Sequence, residues 1–392
     1  MRRTWLVALW VAQGAAFAAG TGTTAADYYR RAFQAADPAK RIALLDRALA
    51  INPHYVPALR HRSAVYSLLG EKERALADIT RAAALVPSDP RVHFLAGGLA
   101  AQLKQYGKAV PLFERALVLE PKNAALRASL VDVLIKLRRI DEAARHADAL
   151  VHAEPEKDYP YSVRAEAYEW ADRYADAMRD LTVLVGRHPN DPKYYFRRCI
   201  NYRCMGRPDE ALADAERGLR LKGNTAYGFA ARGCSYELLG RLEAALADYK
   251  RAAELDEDRR YYMIWSCIVL RKLDRRAEAD KLIGGFLKQL KDEKWIAPVI
   301  RYLAGTMSEA EVFRLARHGD PEKNRQQLCE AYYYVGACHL ADGKLDAAEA
   351  LLKKCLAQRV NNFYEHGFAL RDLRAIRRRR DQEKLKKRLG PK

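Results

Sequence analysis

The chain has 392 residues, 49% of them hydrophobic and 30% charged, with a formal net charge of +19. This supplies ample material for a continuous core. Beyond the N-terminus no run is apolar enough to span a membrane, and nothing reads as a strand-rich domain.

The first nineteen residues read as a cleaved secretory signal. Arg2 and Arg3 give a positive start, Trp5 to Ala12 an apolar stretch, and Ala16-Phe17-Ala18 a small-residue cleavage site. Gln13 and Gly14 interrupt the apolar run, which leaves it short for a retained anchor. The context Arg3-Thr4-Trp5-Leu6 favours general over twin-arginine export. The expected location is therefore periplasmic or secreted. The first cysteine is Cys199, so lipid attachment through an N-terminal cysteine is not expected.

From residue 22 to 287 the sequence is periodic. Pro53, Pro87, Pro121, Pro155 and Pro189 stand 34 residues apart. In a frame counted from Val56, small residues recur at places 8, 20 and 27: Ser63, Ala75 and Ala82, then Gly97, Ala109 and Ala116. An aromatic falls at place 11 or 24, as Tyr66, Phe113, Tyr168, Tyr202, Tyr236 and Tyr249. Small side chains let two helices approach, the ring fills the remaining gap, and the late proline ends the second helix. Units begin near 56, 90, 124, 158, 192, 226 and 260, after a degenerate first unit with Leu45 and Ala48 in frame. A fixed period of this length in this pattern resembles the tetratricopeptide (TPR) family. The resemblance implies an all-α, right-handed solenoid of helix-turn-helix units, whose product is a binding surface.

Between about 288 and 328 the period lapses into a helical insert. Trp295 to Leu303 reads as one helix, and Ser308-Glu309-Ala310-Glu311 as a capping box opening another. A terminal unit from 329 holds Gly336, Ala348 and Leu352 in frame, and a last helix to 376 caps the stack through Phe363, Leu370, Leu373 and Ile376. Residues 377–392 form a basic tail.

Catalytic signatures are absent: no His-Glu-x-x-His, no phosphate-binding glycine loop, no Gly-x-Ser-x-Gly. No enzyme activity, cofactor or metal is expected. The seven cysteines lack a Cys-x-x-Cys. Cys199, Cys267 and Cys355 occupy small-residue places, where a free thiol serves as a small hydrophobe. A bridge between Cys329 and Cys355 is geometrically open, and the odd count leaves at least one thiol unpaired in a monomer.

Loss of Arg2 and Arg3 with the signal lowers the charge from +19 to +17, and the last sixteen residues contribute +7 of that. Arg377, Arg378, Arg379, Arg380, Lys384, Lys386, Lys387 and Arg388 carry the tail. A solvated helix end explains it, as does contact with anionic membrane or cell-wall polymer. An export signal argues against nucleic acid.

In TPR solenoids the first helices line the groove through places 2, 5, 9, 12 and 13. The resemblance therefore assigns a partner-binding groove to Tyr159, Glu166, Glu169, Trp170, Lys193, Phe196, Arg203, Tyr227, Glu237, Tyr261, Arg271 and Lys272. Aromatic anchors among charges suit a peptide ligand; the same rings also serve as packing between units.

The C-terminal third resembles the bacterial NlpI family of envelope lipoproteins. The segments that carry this are Tyr302-Leu303-Ala304-Gly305, Glu330-Ala331-Tyr332-Tyr333-Tyr334-Val335-Gly336, and Asn362-Phe363-Tyr364-Glu365-His366-Gly367-Phe368-Ala369-Leu370. That resemblance implies a dimeric adaptor without catalysis, bringing peptidoglycan hydrolases together with other envelope proteins, a protease among them. The lipid-bearing cysteine is missing and the repeats are more numerous than in that family. The expectation is an exported scaffold that binds protein partners, with a homodimer open. The alternative is an envelope polymer- or glycan-binding protein using the same aromatic groove.

Overall fold

The computed structural model describes residues 24–222, 224–290, 294–360 and 364–389. The expected signal and Phe363 lie outside the described residues, as do the side chains of Lys386, Lys387 and Arg388. Among the described residues there are 21 helices and no strand. No described helix is long and apolar enough to cross a membrane.

In chain order the helices are α1 (Ala25–Gln34), α2 (Pro38–Ile51), α3 (Val56–Leu68), α4 (Lys72–Leu85), α5 (Pro90–Gln102), α6 (Tyr106–Leu119), α7 (Ala124–Lys136), α8 (Ile140–Ala153), α9 (Asp158–Trp170), α10 (Tyr174–Arg187), α11 (Pro192–Met205), α12 (Pro208–Lys222), α13 (Ala226–Leu238), α14 (Leu242–Leu255), α15 (Arg260–Lys272) and α16 (Arg276–Gln289). Then come α17 (Ala297–Leu303), α18 (Glu309–Leu315), α19 (Pro321–Ala341), α20 (Leu345–Ala357) and α21 (Tyr364–Leu389). The helices from α3 to α16 pair off in the 34-residue frame, and the chain divides into two compact units, Met1–Val163 and Arg164–Lys392.

Each repeat starts and turns for local reasons. Asp89, Asn123, Asp191 and Thr225 cap first helices by accepting a backbone N–H with their side chains. Place 15, in the turn between the two helices, has positive φ throughout: Gly70, Gly206, Gly240 and Gly343 meet this freely, whereas Lys104, Arg138, Asp172 and Asp274 hold φ of 56–61°. Ser308 forms the expected capping box with Glu311.

Within the repeats the small-against-large rule is visible atom by atom. A Cβ at Gly97 would lie 2.8 Å from the Phe113 ring, one at Gly233 2.8 Å from the Tyr249 ring, and one at Gly218 2.6 Å from the Phe196 ring. A second tie spans the hairpin. Arg62, Arg164, Arg198 and Arg232, at place 7, each grip the aspartate 16 residues on through two guanidinium nitrogens, at 2.6–2.9 Å: Asp78, Asp180, Asp214 and Asp248. These aspartates are buried, and the paired hydrogen bonds satisfy both carboxylate oxygens.

The C-terminal helices enclose a polar network with two carboxyl groups. Glu330 accepts from the Tyr261 hydroxyl at 2.9 Å and from the Trp295 indole; Glu365 accepts from the Tyr334 hydroxyl, which itself accepts from Trp265 Nε1 at 3.0 Å. Burial, and then the neighbouring Glu365, push the Glu330 carboxyl up to about 8. Burial likewise raises Glu365.

Three outcomes follow from these contacts. Gly233→Ala is expected to lower the unfolding free energy by about 1–3 kcal/mol, measured by urea denaturation; an unchanged midpoint means the helices part without cost. Lys104→Gly relieves a left-handed backbone and is expected to stabilise by about 0.5–1 kcal/mol, with no gain if side-chain contacts of Lys104 dominate. Because the folded pKa of Glu330 lies above its unfolded value, the folded chain holds more protons than the unfolded one between those values. The contribution of Glu330 to stability therefore falls as pH rises from about 5 to about 8. Melting curves across that range should show a shallower decline in Glu330→Gln than in the wild type, and parallel declines would refute the assignment.

Candidate functional site

The last helix decides which part of the first-helix face is open. α21 lies across α11, α13 and α15. Tyr364 and Phe368 cover the guanidinium of Arg203 at 5.1 and 5.7 Å, and that arginine is only 3% exposed. The same two rings meet Trp265 at 5.2 and 5.4 Å. One turn further, Arg371 pairs with Glu237 at 3.0 Å and donates to the Tyr333 hydroxyl at 3.1 Å, while Asp372 faces Lys272 at 3.6 Å. Lys272 also donates to Glu237 at 2.8 Å. Burial alone would raise the Glu237 carboxyl, yet Arg371 and Lys272 hold it down to about 2. Further contacts run from His366 to Asp172, at 3.2 Å, and from Arg374 to the Cys204 carbonyl.

Several residues expected to bind a partner therefore have internal work. Arg203, Glu237 and Lys272 hold α21. Tyr227 stays 42% exposed but meets Phe196 and Tyr364 edge-on. Phe196 is buried against Gly218. Tyr261 serves Glu330, and Arg271 donates to the Leu303 carbonyl at 2.8 Å, fastening α17. Tyr159 donates to Glu154, and Lys193 is exposed beside Asp191. The residues that bring α21 here are Tyr364, Phe368, Arg371 and Asp372. Of the side chains expected to cap the stack, Ile376 is buried, whereas Leu370 and Leu373 are half-buried.

A cavity of about 210 Å³ on this face is lined by Glu166, Glu169, Trp170 and Arg197. α9 supplies the first three and α11 the fourth. Glu169 is fixed from two sides: Arg197 Nε and Nη2 donate to it at 3.0 and 2.9 Å, and Asn201 Nδ2 at 2.7 Å. Asn201 is fully buried and also donates to the Arg197 carbonyl at 3.0 Å. Arg197 is thereby paired with Glu169, and Glu166 also acts on its charge. The exposed carboxylate of Glu166 and the half-buried Trp170 indole line the rest. Asn201 falls at place 10, outside the groove-lining places, so the repeat frame does not point to it.

The tail cations are carried as the continuation of α21. Arg377, Arg378, Arg379 and Lys384 are exposed. Arg380 pairs with Asp346 and Glu349 on α20.

Three models described as tetratricopeptide repeat match the chain, at residues 69–124, 100–167 and 227–259. Among solved structures, a tetratricopeptide repeat protein from Parabacteroides merdae is 18% identical, with 63% of this chain and 98% of that chain aligned at a TM-score of 0.46. MamA from Desulfovibrio magneticus RS-1 is 17% identical, with 43% and 96% aligned at 0.38. MamA from MSR-1 is 24% identical, with 43% and 97% aligned, also at 0.38. The family matches, taken with paired helices in a 34-residue frame, establish the chain as an all-α solenoid of tetratricopeptide repeats.

Proposed function

We propose that this protein is a non-catalytic adaptor of the bacterial cell envelope that holds protein partners on its first-helix face. The observation that carries the reading is the open cavity at Glu166, Glu169, Trp170 and Arg197 beside a stretch of the same face already filled by α21. TPR units present surfaces, and a ring flanked by carboxylates is a fit for one basic side chain of a partner peptide. The indole face attracts a cation, and the exposed Glu166 carboxylate lies in the same cavity beside the Glu169–Arg197 pair. Rigid aromatic anchors of this kind dominate interface energies.

The export component rests on Arg2, Arg3 and the short apolar run to Ala12. The resemblance of the C-terminal third to envelope lipoproteins supports peptidoglycan hydrolases or a protease as the partner class. The exposed Arg377, Arg378, Arg379 and Lys384 supply a separate, non-specific attraction to anionic membrane or cell-wall polymer.

Affinity capture from the envelope fraction, with wild type beside Trp170→Ala and Glu166→Lys, tests the assignment. Defined proteins are expected with the wild type, and each substitution should weaken their binding about ten- to a hundredfold. Capture of glycan strands that depends on Trp170 but ignores Glu166 and salt would replace the protein-adaptor reading with polymer binding. Capture that follows only a truncation at Arg377 would move the site to the tail.

A further inference from the structure

All seven cysteines are buried thiols, and two of them touch. Cys329 on α19 and Cys355 on α20 bring their sulfurs to 3.4 Å across an antiparallel helix pair, both with no exposed surface. A disulfide needs about 2.05 Å between sulfurs. The remaining approach is about 1.4 Å, within reach of small side-chain rotations on two already adjacent helices. Cys355 also meets the Glu365 carbonyl, at 3.8 Å, where α21 begins.

We infer that Cys329 and Cys355 form an oxidisable pair that closes to a structural disulfide when the chain folds in the presence of a low-molecular-weight disulfide such as oxidised glutathione. The thiolate of one cysteine attacks a glutathione sulfur, forms a mixed disulfide and releases one glutathione thiolate. The second protein thiolate then attacks the protein sulfur of that mixed disulfide and releases the other. Two protein thiols lose two electrons and two protons, and one oxidised glutathione becomes two reduced molecules. Thiolate is the attacking form. In the folded chain the hydrogen bond to Cys355, together with burial, holds the Cys329 thiol well above its ordinary range. Closure therefore belongs to folding, before the helices shut, and the finished bridge resists reduction until the chain opens. The bridge staples α19 to α20, the pair on which α21 is laid.

The test is to reduce and unfold the full chain, refold it in a glutathione redox buffer, and map alkylation by mass spectrometry under denaturing conditions. Of the seven cysteines, five are expected to be alkylated, with Cys329 and Cys355 recovered as one linked peptide. Dithiothreitol should leave that link intact in the folded chain and cleave it once denaturant is added. Cys355→Ala keeps the small residue that place 27 holds as Ala82, Ala116 and Ala252, so it preserves the packing; it should return all six remaining thiols to alkylation. Seven alkylated cysteines in the refolded wild type, or a link between any other pair, overturns the inference.

Discussion

In the repeats that begin at 90, 192 and 226 two antiparallel helices meet where a glycine faces an aromatic ring. The gap there is too small for a methyl group at Gly97, Gly218 or Gly233. Fixing that distance fixes where the hairpin's polar tie lands, since the place-7 guanidinium reaches the place-23 carboxylate only across closely approached helices. It also fixes the spacing of successive first helices, and with it the face on which α21 lies. Overpacked interiors respond by shifting backbone rather than absorbing volume, so a change at these contacts propagates to that face.

The repeat frame was legible because it is written in residues that act locally. Prolines end helices, and small residues and rings face one another at fixed offsets. Two further signals carry the same period: Asp89, Asn123, Asp191 and Thr225 as caps, and the arginine followed 16 residues later by aspartate. Both are spacings written in the chain itself. The position of α21 is different in kind. Nothing local in Tyr364, Phe368 or Arg371 says that they meet Arg203 and Glu237, more than a hundred residues earlier. A segment rich in arginine reads as solvated, and half of this one is.

Filling of the first-helix face by α21 combines two physical strategies. At Arg203 a buried cation is covered by two rings, a cation–π arrangement. At Glu237 the charge is met by cations from two elements, which keeps it ionised despite burial. The candidate cavity differs from both: its internal ion pair, Glu169 with Arg197, is complete without an outside group. Glu166 and Trp170 line the same cavity beside that pair.

The contacts of α21 also make the two directions along the chain unequal. A whole 34-residue module inserted or lost before residue 158 changes none of the partners of Tyr364, Phe368, Arg371 or Asp372. The same change between 192 and 329 would slide Arg203, Glu237, Trp265 and Lys272 out of step with them. Modular growth is therefore tolerated at one end and forbidden at the other, so relatives of different length would be expected to vary upstream of a constant carboxyl-terminal cassette.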